Sequence, residues 1–421
     1  MKFRRMAVGL GAVVVAMLAT ATMSHAQVDG NGAGEVDVSS GWATSDVNLQ
    51  GQLAAHPDLG VAVVGSAGEF PPVSPPAWYS STGLSFEEVP FPAPTGDPIG
   101  ARDVAANENG FVAILFNSVF VSFSADGRTW EPVDLTGVLA ECGLGVVDSD
   151  TSTDGDPCYL ADVAAGPAGF VILGSNGQTC DGFALYSVDG RQWERADFPE
   201  NCSPIAAVST NDGFVTLGAP NRIVSSNDGV TWDEISPTGL PDDLADRALW
   251  QLSARGSTVV LVGTRTGPDC DFVPGVWFST DGGRTWAEGT IESVGDPAPS
   301  DAGFQPEDIE ATSFGFVAVG PLVSDPLCMP AVDPADSGLI LVSGDGVTWH
   351  QFANEFSIRN VAATSTGLIG SGSLGIATWT PGGGTLATTG SSTTLPLFLV
   401  GAALVAAGAI ALLSRRIPVM R

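Results

Sequence analysis

Lysine occurs once in the chain, at position 2, and histidine and tyrosine three times each. Arginine therefore carries almost all the positive charge, and acidic residues outnumber basic ones 47 to 16. Such a surface repels nucleic acid and anionic lipid headgroups, which excludes both as partners of the folded part. Outside the apolar leader only His56 and His350 remain, in separate segments, which is too few for a Ser-His-Asp site or a histidine-rich metal site. No long 3.6-residue apolar periodicity runs through the interior, so a helical core is excluded and the apolar residues must be organised as strands.

What the interior does contain is a repeat. Ser124-Ala125-Asp126-Gly127-Arg128-Thr129-Trp130 recurs as Ser187 to Trp193 around Asp189, Ser226 to Trp232 around Asp228, Ser279 to Trp286 around Asp281, and Ser343 to Trp349 around Asp345. A degenerate sixth copy reads Ser81-Thr82-Gly83-Leu84-Ser85-Phe86. Successive closing aromatics from Phe86 to Trp349 are 44, 63, 39, 54 and 63 residues apart, the period of propeller blades with unequal loops. A second repeat lies upstream of each copy, as in Val104-Ala105-Ala106 with Gly110-Phe111-Val112 and Val163-Ala164-Ala165 with Gly169-Phe170-Val171. It appears seven times, giving units of four short apolar runs separated by Gly, Asn and Asp, which read as four-stranded antiparallel blades.

The Ser-x-Asp-Gly-x-x-Trp copies resemble the Asp-box of sialidases and related β-propellers. The resemblance implies an all-β, seven-bladed β-propeller whose boxes join the third and fourth strands of each blade. In that position Gly supplies a positive φ, Asp and Ser cap turn N–H groups, and Trp130, Trp193, Trp232, Trp286 and Trp349 bury large surfaces between blades. The five aspartates are thus expected to be structural. The seventh unit, 361–380, has no box and lacks an outer strand, and residues 35–48 are expected to supply it, so that 35–380 forms one closed ring.

Sialidase chemistry is not expected. That family uses an arginine triad, a late tyrosine nucleophile and an acid/base aspartate, and its Arg-Ile-Pro element occurs here only as Arg416-Ile417-Pro418, beyond the last repeat. The tyrosines, Tyr79, Tyr159 and Tyr186, all lie early. Alignment of the units places Gln52, Asp103, Asp162, Ala207, Gln251, Asp308 and Asn360 just before the inner strands, near the mouth of the central channel. Two readings stand for Asp103, Asp162 and Asp308: bonding to the backbone of the adjacent blade, or a carboxylate site for a ligand or a glycan-processing reaction. The acidic string 148–156 fails as a calcium loop, because an EF-hand frame from Asp150 puts Ala161 where a glutamate belongs. No cofactor or metal site is expected.

The two ends carry the cellular address. Residues 1–26 have Lys2, Arg4 and Arg5, an apolar run and Ser24-His25-Ala26, a secretory signal cleaved between Ala26 and Gln27, with 27–34 a flexible lead-in. Leu386-Ala387-Thr388-Thr389-Gly390, in the 381–394 linker, is followed by an apolar stretch at 395–413 and a basic tail at 414–421. This order resembles a sortase sorting signal of high-GC Gram-positive bacteria. It implies cleavage after Thr389, with sortase and peptidoglycan as processing partners; a retained membrane anchor is the alternative, since the stretch is long enough to span a bilayer. Without both ends, ten basic residues face 47 acidic ones.

Six cysteines in an exported chain suggest disulfides. The blade map puts all six on the face opposite the boxes and favours Cys142 with Cys158, Cys180 with Cys202 and Cys270 with Cys328, each contributing about 2 to 4 kcal/mol. The expectation is a secreted, wall-anchored propeller that acts as a non-catalytic binding or scaffold module for surface glycan or protein ligands on that face. A glycan-processing hydrolase and an envelope assembly factor are the alternatives.

Overall fold

The computed structural model describes residues 42–44, 51–65, 75–92, 100–115, 119–140, 158–176, 182–199, 202–219, 222–241, 251–266, 272–293, 303–323, 337–354, 356–365, 367–372 and 375–380. The signal peptide, the sorting motif, the 395–413 stretch, the 148–156 string and Cys142, Cys180, Cys270 and Cys328 lie outside these residues.

The first strand, β1 (Ala43–Thr44), belongs to the last blade. The chain then builds blade 1 from β2 (Gly51–His56), β3 (Gly60–Gly65), β4 (Ala77–Ser80) and β5 (Glu87–Val89). Blade 2 follows with β6 (Ala101–Asn107), β7 (Gly110–Leu115), β8 (Val121–Ser124) and β9 (Trp130–Val133). Blade 3 has β10 (Cys158–Gly166), β11 (Gly169–Asn176), β12 (Gly182–Ser187) and β13 (Glu194–Arg195). Blade 4 has β14 (Ser203–Thr210), β15 (Gly213–Ala219), β16 (Arg222–Ser226) and β17 (Asp233–Ile235). Blade 5 has β18 (Gln251–Arg255), β19 (Thr258–Thr266), β20 (Phe272–Ser279) and β21 (Ala287–Glu288).

Blade 6 is larger. Two added strands, β22 (Thr290–Ser293) and β23 (Gly303–Phe304), precede its meander of β24 (Asp308–Thr312), β25 (Gly315–Val323), β26 (Gly338–Ser343) and β27 (Thr348–Asn354). In blade 7, β28 (Ile358–Thr364), β29 (Gly367–Gly372) and β30 (Gly375–Trp379) need a fourth strand, and β1 pairs antiparallel with β30 through Ala43 opposite Thr378 and Thr44 opposite Ala377. The inner strands β2, β6, β10, β14, β18, β24 and β28 touch their neighbours in turn, and β28 returns to β2, so the ring is closed.

The second strand of each blade reads as a continuous apolar run because neighbouring blades cover both its faces. Gly110–Leu115 is buried at every residue, and Phe111, Val112, Ala113, Ile114 and Leu115 are all at 0% exposure. The run opens with Gly110 at φ 141°, where a side chain's Cβ would lie 2.2 Å from the Ser124 carbonyl oxygen.

The repeat turns hold their own backbone. Asp126 Oδ1 accepts the N–H groups of Arg128 at 2.9 Å and Thr129 at 2.7 Å, and Trp130 Nε1 donates to the Gly127 carbonyl at 3.1 Å. Asp189, Asp228, Asp281 and Asp345 each accept the corresponding pair of N–H groups. The degenerate first copy is framed from Ser80 rather than Ser81: Gly83 N donates to Ser80 Oγ at 2.9 Å, as Gly190 N does to Ser187 Oγ at 2.8 Å. Thr82 thus stands where the other copies have aspartate, and its Oγ1 accepts only a weak bond from Leu84 N at 3.4 Å.

Asp281 is the most heavily bonded of the five, accepting also from Ser279 Oγ at 2.8 Å and Thr285 Oγ1 at 2.7 Å. Burial pushes its carboxyl upward, but the Thr285 and Ser279 hydroxyls and the Thr285 and Arg284 N–H groups outweigh that and hold it at about 2. A group depressed in the folded state stabilises above its unfolded value and loses that contribution as pH falls through the folded one. Asp281→Ala is expected to cost about 1–2 kcal/mol at neutral pH, after allowing for screening in an exposed turn, and clearly less near pH 2, where the carboxyl is half protonated. Urea unfolding midpoints at the two pH values check this.

Beyond the turns, the chain leaving each outer strand crosses to the next blade. Asp197 and Thr238 make parallel bridges to Thr231 and Thr285, and β22 extends this into a four-residue strand running parallel to β27. These contacts cover the outer edges of blades 4, 5 and 6, which would otherwise offer unpaired N–H and C=O groups.

Candidate functional site

Four of the inner strands carry a bulge or a shift at the same level, just before the channel. The register slips between Ala101 and Asp103, between Leu160 and Asp162, between Pro204 and Ala206, and between Ile358 and Asn360. Glu307 precedes Asp308 at the corresponding place, its N–H donating to the Val319 carbonyl at 2.9 Å. The pairing corrects one assignment in blade 4. Ala206, opposite Leu217, is the equivalent of Asp103 opposite Ile114, whereas Ala207, opposite Thr216, matches Val104. Ala206 and Asp103 each stand seven residues before the glycine that opens the second strand, Gly213 and Gly110, so the offset lies in the alignment of the sequence and not in the bulge, which recurs in blades 2, 3 and 7.

An inner strand has a partner on one edge only, so its other edge turns N–H groups toward the channel. Acidic side chains of the preceding blade accept them. Asp103 Oδ2 accepts from Val163 N at 3.0 Å while its Oδ1 accepts from Val104 N at 2.8 Å. Asp162 Oδ2 accepts from Ala207 N at 2.6 Å. Asp308 bonds Val361 N and Ile309 N, both at 2.7 Å, and Glu310 accepts from Ala363 N at 3.2 Å. Between blades 7 and 1, Asn360 Nδ2 donates to the Gly51 carbonyl at 3.2 Å and Ser371 Oγ does so at 2.8 Å. Backbone bonding to the adjacent blade is therefore what Asp103, Asp162 and Asp308 do. Glu310 has the same role and was not singled out in the sequence; its signal is the i, i+2 spacing from Asp308, which puts both on one side of a strand.

These carboxyls line a channel partly reached by water yet are enclosed by protein, and the balance raises them all. Burial is the main cause for Asp103, opposed by the neighbouring Asp162 and by its bonds to Val163 and Val104. Asp162 is raised well above the usual carboxylate range by burial and by the adjoining Asp103. Asp308 is pushed to about 7 by burial, with the charges of Asp103 and Glu307 adding to it, and Glu310 to about 8 by burial and Asp308. Nearby cations are few. Arg102 donates to the Ala161 carbonyl and lies over the Tyr159 ring, and Arg359 pairs with Glu307 at 3.1 Å. Among the described residues no three acidic, histidine or cysteine side chains are grouped to hold a metal ion.

The other candidates are dispersed. Tyr79 and Tyr186 donate to backbone carbonyls of their own blades, at Leu59 and Ala168. Cys158 is disulfide-bonded, its partner being outside the described residues. The expected bridge from Cys202 to Cys180 is not formed: Cys202 is a free thiol at 0% exposure, packed as a small apolar group with Phe214, Val224 and Trp232. Among the described residues no helix is long and apolar enough to cross a membrane.

The structure is thus that of a seven-bladed β-propeller with a bonded acidic collar. Residues 178–320 match the family model described as DUF6242 beta propeller domain. No curated protein matches the chain in sequence. Among solved structures, YCF48 from Cyanidioschyzon merolae is 13% identical, covering 81% of this chain and 99% of its own, with a TM-score of 0.48. Hydrazine synthase from Kuenenia stuttgartiensis is 9% identical over 81% of this chain and 97% of its own, with a TM-score of 0.47. The Hadza microbial sialidase Hz136 is 14% identical over 80% of this chain and 65% of its own, with a TM-score of 0.39.

Proposed function

We propose that this chain is an Asp-box propeller that serves as a non-catalytic binding or scaffold module, exported and held at the cell wall through its Leu386 to Gly390 motif. Its ligands are surface glycans or proteins, taken on the face opposite the repeat turns. One observation carries the reading: the carboxylates that could have formed a hydrolytic site, Asp103, Asp162 and Asp308, are bonded to the backbone of the next blade. A glycosidase needs two acids about 5 to 10 Å apart and free to face a sugar or water between them, whereas these carboxyls hold backbone N–H groups.

The test is incubation of the protein with a panel of wall and host glycans, scoring retention and released sugar separately. Retention without release, unchanged within about twofold in Asp103→Asn and Asp308→Asn, is the expected result for a binding module. Released sugar that disappears in either variant would replace this reading with the hydrolase. Neither retention nor release would exclude glycans and leave protein ligands of the envelope.

A further inference from the structure

The repeat turns dock on the blade before them, and at two junctions an arginine completes the contact. The Cζ of Arg128, in the blade 2 turn, lies 3.8 Å from the centre of the Tyr79 ring in blade 1, and its Nε donates to Glu87 Oε1 at 2.6 Å. Arg191, in the blade 3 turn, repeats this one blade on, with its Cζ 4.0 Å from the centre of the Phe123 ring and its Nε 2.7 Å from Glu131 Oε1. In both cases the aromatic and the acid are cross-strand partners, Tyr79 opposite Glu87 and Phe123 opposite Glu131. The glycine before each arginine packs directly on the same ring. A Cβ on Gly127 would fall 2.5 Å from Tyr79 Cδ2, and one on Gly190 2.4 Å from Phe123 Cδ2. One guanidinium thus meets a ring face and a carboxylate together, combining a cation–π contact with a charge-assisted hydrogen bond.

The junction between blades 3 and 4 has every part of this arrangement except the arginine. Tyr186 stands opposite Glu194, and a Cβ on Gly229 would fall 2.3 Å from Tyr186 Cδ2. The next residue of that turn is Val230, whose side chain has neither charge nor donor. The exposure of the rings records the difference. Under their arginines Tyr79 is at 5% and Phe123 at 0%, whereas Tyr186 is only partly buried, although its hydroxyl is fixed to the Ala168 carbonyl just as that of Tyr79 is to Leu59. Glu194 is exposed, and the neighbouring arginines are engaged elsewhere, Arg195 over the Phe183 ring and Arg191 on Glu131. The other two junctions that lead into a repeat turn each lack a receiving group. Between blades 4 and 5 Ser225 takes the place of the aromatic, and Arg284 turns back to the Asp281 carbonyl at 2.9 Å. Between blades 5 and 6 Ala287 takes the place of the acid, opposite Phe278.

We propose that Tyr186 and Glu194 form a docking site for an arginine side chain of a partner protein, which makes between two molecules the contact that Arg128 and Arg191 make within one. The chain supplies the specificity argument itself, since the same pair of groups holds a guanidinium at both junctions where the turn provides one. A planar guanidinium suits such a site better than an ammonium, because it can stack on the ring while its N–H groups reach the carboxylate. The excess of 47 acidic over 16 basic residues draws a basic segment toward the surface. Asp197, whose N–H bonds the Val230 carbonyl at 2.7 Å, adds a second exposed acid along the same edge. The site lies at the repeat-turn end of the blades, so it stands whether or not the opposite face takes the ligands proposed above.

The three tyrosines of the chain serve as reporters. The full chain is labelled with carbon-13 in its tyrosine rings, the signals are assigned by replacing each tyrosine with phenylalanine in turn, and a blocked Gly-Arg-Gly tripeptide is added at constant ionic strength. The Tyr186 signals should move with a dissociation constant of about 10 mM, as befits one exposed contact taken out of a larger interface. Those of Tyr79 and Tyr159, which already face Arg128 and Arg102, should stay still. Glu194→Gln should weaken the response about threefold. Val230→Arg should supply the cation from within the chain, moving the Tyr186 signals toward their peptide-bound position before any peptide is added and abolishing the response to it. Tyr186 signals that do not move, or that move together with those of Tyr79 and Tyr159, would overturn the site on the unsubstituted chain alone. A full response retained in Val230→Arg would do the same, and an equal shift with the lysine tripeptide would overturn arginine as the occupant.

Discussion

Trp349→Ala is expected to destabilise the ring by about 3–5 kcal/mol, because it empties the largest fully buried side chain in the described residues. Trp349 is at 0% exposure and packs with Val260, Val262 and Val276 of blade 5 and with Phe316 and Leu341 of its own blade. Its Nε1 donates to the Gly346 carbonyl at 2.9 Å, and Ile291 of β22 lies in register beside it. The added parallel strand covers this tryptophan more fully than Trp130, Trp232 and Trp286, which are buried at 7%, 5% and 5% exposure. Trp193, which ends the corresponding turn of blade 3, is only partly buried, although it makes the same bond to Gly190 at 3.0 Å. Trp193→Ala should therefore cost about half as much, or about 2 kcal/mol. Urea unfolding of both variants gives the comparison through their midpoints, with slopes unchanged if the ring still unfolds as one unit. Equal losses at the two sites would mean that β22 adds no burial.

Removing the chain through Thr44 is expected to have the second largest effect. It deprives β30 of its partner, since Thr378 and Ala377 are paired with Ala43 and Thr44, and it takes away Trp42, whose ring would lie 3.5 Å from a Cβ at Gly370. The backbone bonds of two residue pairs, at about 1 kcal/mol each, together with the lost apolar contact, put the cost at about 3 kcal/mol. A further consequence is kinetic and intermolecular: β30 becomes an open edge able to pair with another chain. The truncated protein should show a lowered unfolding midpoint and a concentration-dependent rise in mass by light scattering. Adding a peptide spanning residues 35–48 should reverse both. A truncated chain that stays monomeric at the native midpoint would show that β1 does not close the ring.

The bonds that define the repeat turns span two to four residues, from aspartate to the N–H groups that follow and from tryptophan back to glycine. Interactions of that range are written into adjacent letters, which is why the blades and their punctuation can be read without coordinates. Even here the weakest copy needed the structure, because only the bond from Gly83 to Ser80 shows that Thr82 occupies the aspartate position. The empty place in the seventh unit was similarly readable as a missing box, while the two residues that fill it pair with a strand more than 300 positions away.

Sequence by itself determined the fold class, the number of blades and the structural duty of Asp126, Asp189, Asp228, Asp281 and Asp345. Tertiary structure alone decided what the channel acids do, because Asp103 and Val163, Asp162 and Ala207, and Asp308 and Val361 are 60, 45 and 53 residues apart. It also decided that Glu310 joins them, that Ala206 rather than Ala207 takes the equivalent place in blade 4, and that Cys202 remains a buried thiol. The physical reason is common to all of these. A turn satisfies its own backbone locally, whereas the unpaired edge of an inner strand can be satisfied only by whatever side chain ring closure brings beside it.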